Sequence, residues 1–398
     1  MGQKDFQCHR EASKMPWRSY RDCFVVVIVL GLLAMTIQTP IFAKGACFGE
    51  LQKDTSGFLD IAKGYSYETL IQPGQIMADG KAFPHRPDLN VYIPLVGSRA
   101  FLVMSHELNE KKNKAWGSGA VTRHYLVDGK IKESRLIADG MGNNCSGSLT
   151  PWGTILTNEE FPNGFIWEVD PVTGEKWKRD KMGRFSHESS VVAADGSVYL
   201  TQDFHEGLMY RFVPTKLGDL SDGKLFAYNK AAKNWVAITD PANAPQEGAK
   251  AGATPFNRLE GLALSKDGKS LYISETGDDK DPEKNDFFGR VYKMSLSDWS
   301  LTVVVEGKGE QVANPDNIIF DNKGNLWIME DRFGKNISKY GNNQIWVLKP
   351  TGELCLFSRL RDDSCESTGP EFSTDYKTLF VNFQCDNQLD KVAKISGF

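Results

Sequence analysis

Cys145, Glu188, Glu260 and Asp316 stand eight residues before Gly153, Gly196, Gly268 and Gly324 respectively. An apolar run separates each residue from its glycine, as in Ser190–Ala194, Leu262–Leu264 and Ile318–Phe320. Side chains that occupy the same point of a repeated unit converge if the units close around an axis. A thiol and three carboxyls brought together cannot all stay as bare anions, because like charges in a poorly solvated site raise one another's pKa until a cation neutralises them. A bound metal would answer that need. Carboxylates alone would suit calcium or magnesium, whereas a thiolate shifts the preference toward iron or zinc. The competing account is that four small polar or acidic residues cap four separate turns.

The units themselves are visible as short strands. Six segments share a three-residue apolar or aromatic core followed by a polar residue and, in most, one or two acids. They are Leu102–Glu107, Thr154–Glu160, Val198–Asp203, Leu271–Thr276, Leu326–Asp331 and Leu379–Gln384. In the last unit Thr368 takes the ligand position and Tyr376 that of the turn glycine. Repeats of this length, rich in strand residues and bounded by Gly, Asp, Asn and Pro, predict about four strands each. The expected fold is therefore all-β, a six-bladed β-propeller with an axial metal site.

The acids at the strand ends form a second candidate ring. Glu107, Glu160 and Asp203 are its leading members, with Asp331 further along and Glu159, Glu275 and Glu330 one residue earlier in three repeats. Arg258 lies two residues before Glu260, so in an extended segment the two would share a face, and a guanidinium beside a metal site suits an anionic substrate. His106, His187 and His205 each adjoin a Glu, and are read, with His124, as structural residues. Phosphate-loop, dinucleotide-binding and Gly-x-Ser-x-Gly signatures are absent.

Basic residues Lys4, Arg10, Lys14, Arg18 and Arg21 precede an apolar run from Phe24 to Ile37, and Ile41-Phe42-Ala43 could end a cleavage site. Residues 1–43 are expected to be a signal peptide or an N-terminal membrane anchor, 44–94 a lead-in packing on the propeller, and 95–398 the propeller. Membrane contact is expected only through residues 24–37 if they stay attached. The chain is expected to be extracytoplasmic, periplasmic or secreted, and monomeric. A net charge of −4 gives no electrostatic case for nucleic acid. Beyond residue 43 the cysteines are Cys47, Cys145, Cys355, Cys365 and Cys385, an odd number that leaves at least one thiol outside intramolecular pairs.

The chain resembles the PhoX-type alkaline phosphatases. The resemblance rests on Asn144-Cys145-Ser146-Gly147 through Thr150-Pro151-Trp152-Gly153-Thr154 to Glu159-Glu160, and on Phe185-Ser186-His187-Glu188. It continues through Arg258-Leu259-Glu260-Gly261, Asn314-Pro315-Asp316-Asn317, and Gly369-Pro370-Glu371-Phe372-Ser373 into Leu379-Phe380-Val381-Asn382. It implies hydrolysis of phosphate monoesters, a small phosphorylated substrate and a mixed iron–calcium cluster. It also implies that Cys145, Glu188, Glu260 and Asp316 bind iron, that Glu160 and Asp203 bind calcium, and that Arg258 contacts phosphate. The leader lacks the adjacent arginine pair of the folded-export signal. Two other readings of the residues are a calcium-dependent lactonase-type propeller and a non-catalytic binding propeller, and Cys145 argues against the first because a calcium site gains nothing from sulfur.

Overall fold

In each blade the second strand is sandwiched between neighbouring blades, which is why its residues read as short, nearly continuous apolar runs. Ile155–Glu159, Val198–Gln202 and Leu326–Glu330 are buried along their whole length. The computed structural model describes residues 47–108, 119–278, 287–332 and 335–398, and these form six antiparallel sheets arranged as blades. The leader and its apolar run lie outside the described residues. No helix among the described residues is long and apolar enough to cross a membrane.

Blade 1 runs outward from Pro87–Pro94 to Lys130–Asp139, and blade 2 from Asn144–Leu149 to Lys176–Lys178. Blade 3 begins at His187–Val192 and carries a fifth strand, Asn234–Ile238, while blade 4 spans Leu259–Leu264 to Leu301–Glu306. Blade 5 starts at Pro315–Phe320, and its outer edge is extended by Leu59–Ala62 and Leu51–Gln52. Blade 6 consists of Cys365–Phe372, Thr378–Cys385 and Lys391–Ser396, with Ser66–Ile71 as its outermost strand. Part of the expected lead-in is thus woven into blades 5 and 6, and Pro87–Pro94 is the innermost strand of blade 1.

Pairing of Ser66–Ile71 with Lys391–Ser396 ties the early chain to the late chain inside one sheet. Apolar packing completes the ring. Ile71, Phe380 and Val392 of blade 6 meet Leu102 and Met104 of blade 1. Trp327 and Phe357 of blade 5 pack with Phe372 and Phe383 of blade 6 and with Phe58 and Leu59 of the N-terminal segment.

The turn after each inner strand is a hairpin that needs one residue at positive φ. Gly153, Gly196, Gly268 and Gly324 supply it at 92°, 81°, 66° and 80°, and Tyr376 adopts 56° at the matching point of blade 6. A side chain in that conformation costs about 1 kcal/mol, and the Tyr376 ring recovers contact by packing on Phe372 at 5.4 Å.

Disulfides join Cys47 to Cys355 and Cys365 to Cys385, leaving Cys145 as the free, buried cysteine of the described residues. The first links positions 308 residues apart and the second positions 20 apart. In the chain-entropy account a longer closed loop restrains the unfolded chain more. Replacing Cys47 and Cys355 by Ser is therefore expected to cost about 5 kcal/mol, against about 3 kcal/mol for the same change at Cys365 and Cys385. Denaturant unfolding of the two double variants tests that order, and equal or reversed losses would contradict it.

Candidate metal centre

The axial side chains are aimed by a repeated fault in strand pairing. In all six blades the register between the first and second strands slips by one residue near the axis. Such a bulge leaves two residues opposite one and re-aims a side chain. The first bulged residue is Asp88, Cys145, Glu188, Glu260 and Asp316 in blades 1 to 5. In blade 6 it is Gly369, where a Cβ would lie 1.8 Å from the Asp88 carbonyl oxygen. Blade 6 therefore offers no axial side chain at that level. Its strands run on instead to the Cys365–Cys385 pair, and Glu366 on that extension faces the cavity.

Hydrogen bonds between blades lock the ring. Ser105 Oγ donates to the Cys145 carbonyl at 2.7 Å and Asn158 Nδ2 to that of Glu188 at 2.8 Å. Thr201 Oγ1 donates to the Glu260 carbonyl at 2.7 Å and Ser274 Oγ to that of Asp316 at 2.5 Å. Each donor sits opposite its own blade's bulge, which explains the polar residue near the end of these repeats: it clamps the axial residue of the next blade.

The result is a cavity of about 130 Å³ lined, among the described residues, by nine carboxyl groups, one thiol and two guanidinia, together with Thr368. The leading candidates from the sequence, Glu107, Cys145, Glu160, Glu188, Asp203, Arg258, Glu260 and Asp316, all line it. Within it, three overlapping groups have candidate ligand atoms within 4.8 Å of one another: Asp88, Cys145 and Glu188; Glu107, Cys145 and Glu160; Glu188, Glu260 and Asp316. The Cys145 thiol donates to Glu188 Oε1 at 3.1 Å. Arg258 bonds Glu260 Oε1 at 2.7 Å, Asp203 Oδ1 at 3.1 Å and Asp331 Oδ2 at 3.4 Å. Asn143 Nδ2 bridges Glu107 Oε1 and Glu160 Oε2 at 3.3 and 3.1 Å.

Two details differ from the sequence expectation. Arg258 is not extended: its φ is 56°, so the turn of the backbone, not strand alternation, carries its side chain to Glu260. Glu159, Glu275 and Glu330 do not line the cavity. Neighbours along a strand point to opposite faces, so where Glu160 and Asp331 face inward, Glu159 and Glu330 turn away. Glu159 accepts from the backbone of Gly142 and Phe165, and Glu275 from Asn257 N and Tyr292 Oη. Glu330 is clamped by Arg332, Trp346 and two backbone amides. His106, His124 and His187 are buried and held neutral by burial, pushed down to about 4, 3 and 3.

Asp88, Arg86, Asp331 and Glu366 complete the lining. Asp331 was already visible as a member of the second ring. Asp88 escaped the spacing rule because it precedes its turn glycine, Gly97, by nine residues. Two other signals point to it: Arg86-Pro87-Asp88 matches Arg258-Leu259-Glu260, and Pro87-Asp88 matches Pro315-Asp316.

Burial and mutual repulsion dominate the electrostatics. Burial, then the charge of Glu107, pushes Asp88 up to about 7. Burial followed by neighbouring carboxylates holds Glu160, Glu188 and Asp316 well above the usual range, with Asp316 facing Glu366 and Asp88. For Glu260 and Glu366 burial and neighbouring carboxylates outweigh the opposing pull of Arg258 and Arg86. The Cys145 thiol is raised by burial, then by Asp88 and Glu188. Glu107 is the exception: burial raises it, but the charge of Arg86 together with hydrogen bonds from Glu160, Arg86 and Gln384 holds it below the usual value. Asp88 Oδ1 is buried with no hydrogen-bond partner among the described residues. A crowded acidic set with a thiol, raised pKa values and an orphaned carboxylate oxygen fits a metal-holding site.

The sequence model of a family described as alkaline phosphatase PhoX matches residues 161–386. Among solved structures, PhoX of Pseudomonas fluorescens in complex with vanadate, a transition state analogue, superposes with a TM-score of 0.69 at 18% identity, covering 86% of this chain and 96% of that one. A gluconolactonase of Xanthomonas campestris gives a TM-score of 0.44 at 14% identity, covering 79% and 98%. A virginiamycin B lyase of Staphylococcus aureus gives 0.46 at 15%, covering 83% and 99%. No curated protein sequence matches the chain.

The raised carboxyls carry a stability cost that a bound metal would remove. In metal-free protein they hold protons that the unfolded chain has already released. Their contribution is therefore full below the unfolded values near pH 4 and is lost as pH rises through the folded ones. Chelator-treated protein is expected to lose stability steadily from pH 5 to 8, with about 3 kcal/mol from Asp88 alone, whereas metal-loaded protein stays nearly level. Melting curves across that range, with and without chelator, measure it, and parallel curves would refute the assignment.

Proposed function

The chain belongs to the PhoX alkaline phosphatase family, and on that premise we propose that it hydrolyses small phosphate monoesters at its axial cavity with the help of bound iron and calcium. The observation that carries the reading is the free, buried Cys145 within a ring of carboxyls that also contains Arg258. A propeller using calcium alone would have no need of a thiol.

Cys145, Asp88, Glu188, Glu260 and Asp316 are the residues that would hold iron, while Glu107, Glu160 and Asp203 offer the oxygen-only surroundings that suit calcium. Bound there, the metals would supply Lewis acidity and offset the negative charge of ligands and substrate. The chain's own part is orientation and charge matching. Arg258, fixed by Asp203, Glu260 and Asp331, presents a planar set of donors to the equatorial oxygens of a phosphoryl group in transfer. A cavity of about 130 Å³ has room for that group and leaves the alcohol side outside, which favours a monoester with a variable leaving group. Two disulfides fit an oxidising compartment outside the cytoplasm, and the leader read from residues 1–43 would deliver the chain there.

Replacing Cys145 by Ser is expected to lower iron content and turnover of a chromogenic phosphate monoester together, by at least tenfold in turnover. Elemental analysis beside a steady-state assay measures both. A variant with unchanged iron and full activity would remove Cys145 from the centre.

A further inference from the structure

We propose that Arg86 is a second substrate-binding guanidinium, which meets the phosphoryl group from the side of the axis opposite Arg258. The proposal rests on the phosphatase reading and extends it to how a dianionic monoester is held.

Blades 1 and 4 supply these arginines from equivalent positions. Arg86 precedes the bulged Asp88 by two residues, and Arg258 precedes the bulged Glu260 by two. Both have left-handed backbone, with φ of 49° and 56°. Each carbonyl accepts from the first residue past the partner strand: Glu107 N reaches Arg86 O at 2.9 Å and Thr276 N reaches Arg258 O at 2.8 Å. Two residues so matched in conformation and pairing project their side chains in the same sense relative to their own blades. In a closed ring of six blades, the first and fourth face each other across the axis. Both guanidinia accordingly line the one central cavity.

Arg86 is also held ready. Its backbone N donates to Asp390 Oδ2 at 3.0 Å, and His85 Nδ1 lies 2.9 Å from the same oxygen. Its Nη2 bonds Glu107 Oε2 at 2.9 Å, and the side chain keeps 23% of its surface open. A guanidinium has five donors in a rigid fork, so one carboxylate contact leaves donors for a phosphate. The cavity needs them. A dianionic group entering among nine carboxyls is repelled on every side except where a cation stands. With Arg258 alone the positive charge that the described residues bring to the cavity would lie on one side of the axis. Arg86 balances it, and paired forks on opposite sides suit the spread equatorial oxygens of a monoester better than a diester with fewer charged oxygens.

A purely structural Arg86 would brace Glu107 and, through it, the metal set. The test separates the two roles in the metal-loaded protein. Arg86→Gln and Arg86→Lys are compared with wild type for iron and calcium content, for binding of inorganic phosphate by calorimetry, and for kcat and KM on aryl and glycerol phosphates. Expected are unchanged metal content in both variants, phosphate binding weakened at least tenfold in Arg86→Gln, and a smaller loss in Arg86→Lys, which keeps the charge but not the fork. KM should rise for both substrates alike. Unchanged phosphate binding in Arg86→Gln, or a fall in metal content that accounts for the loss, overturns the proposal. A wild-type protein that neither binds phosphate nor turns over any monoester sinks the phosphatase reading and this one together, whereas an active wild type with an indifferent Arg86→Gln sinks this one alone.

Discussion

Nine carboxyl groups and a thiol compressed into one cavity of about 130 Å³ repel one another, and that repulsion is the condition every other part of the chain is arranged to bear. Water screens poorly inside a protein, so unneutralised anions there either take up protons or recruit cations. Among the described residues the cavity's cations are Arg86 and Arg258, far short of the charge to be met. What keeps the set together is the surrounding framework. Six blades press together through apolar clusters such as the one that joins Leu156 to Phe212, and through contacts such as Trp327 on Phe372, and Ser105, Asn158, Thr201 and Ser274 hold four of the axial carbonyls.

Convergence is achieved by breaking strand regularity at one place per blade. A regular strand alternates its side chains between two faces, both of which are covered by neighbouring blades in a propeller, so no regular residue would aim along the strand toward the axis. The one-residue slip at each inner strand supplies that direction. The left-handed residues Arg86, Asn143, Arg258 and Asn314, each two positions earlier, turn the chain into it. These strained positions shape the cavity as well. Two of them are the cavity's guanidinia, and Asn143 bridges two of its acids.

Much of this was legible in the sequence. The repeated apolar triplets marked the second strands, and the constant distance from ligand to turn glycine picked out four of the five bulged acids and thiol because blades 2 to 5 keep it without insertion. The method failed at the two blades where the ring closes. Asp88 is displaced by one residue in its hairpin. Glu366 has no counterpart in other blades, because Gly369 must admit the Asp88 backbone and the strand was lengthened to bring an acid from elsewhere. Which member of each acidic pair faces inward also depends on the register of pairing, which residue types do not encode. The pairing of Ser66–Ile71 with Lys391–Ser396 leaves no local trace at all, since nothing in either segment names its partner.

That last pairing sets an order of events. The cavity draws on residues from Arg86 to Glu366, yet blade 6 is finished only when a strand near residue 70 meets one near residue 395. Contacts so distant along the chain form late, because the entropy of closing the intervening loop is lost before any contact repays it. A nascent or half-made chain can therefore hold fragments of the acidic ring but not its assembled geometry. Capture of a metal by that ring would then be a property of the finished fold, and the compartment in which the last strand docks would decide which metals it meets.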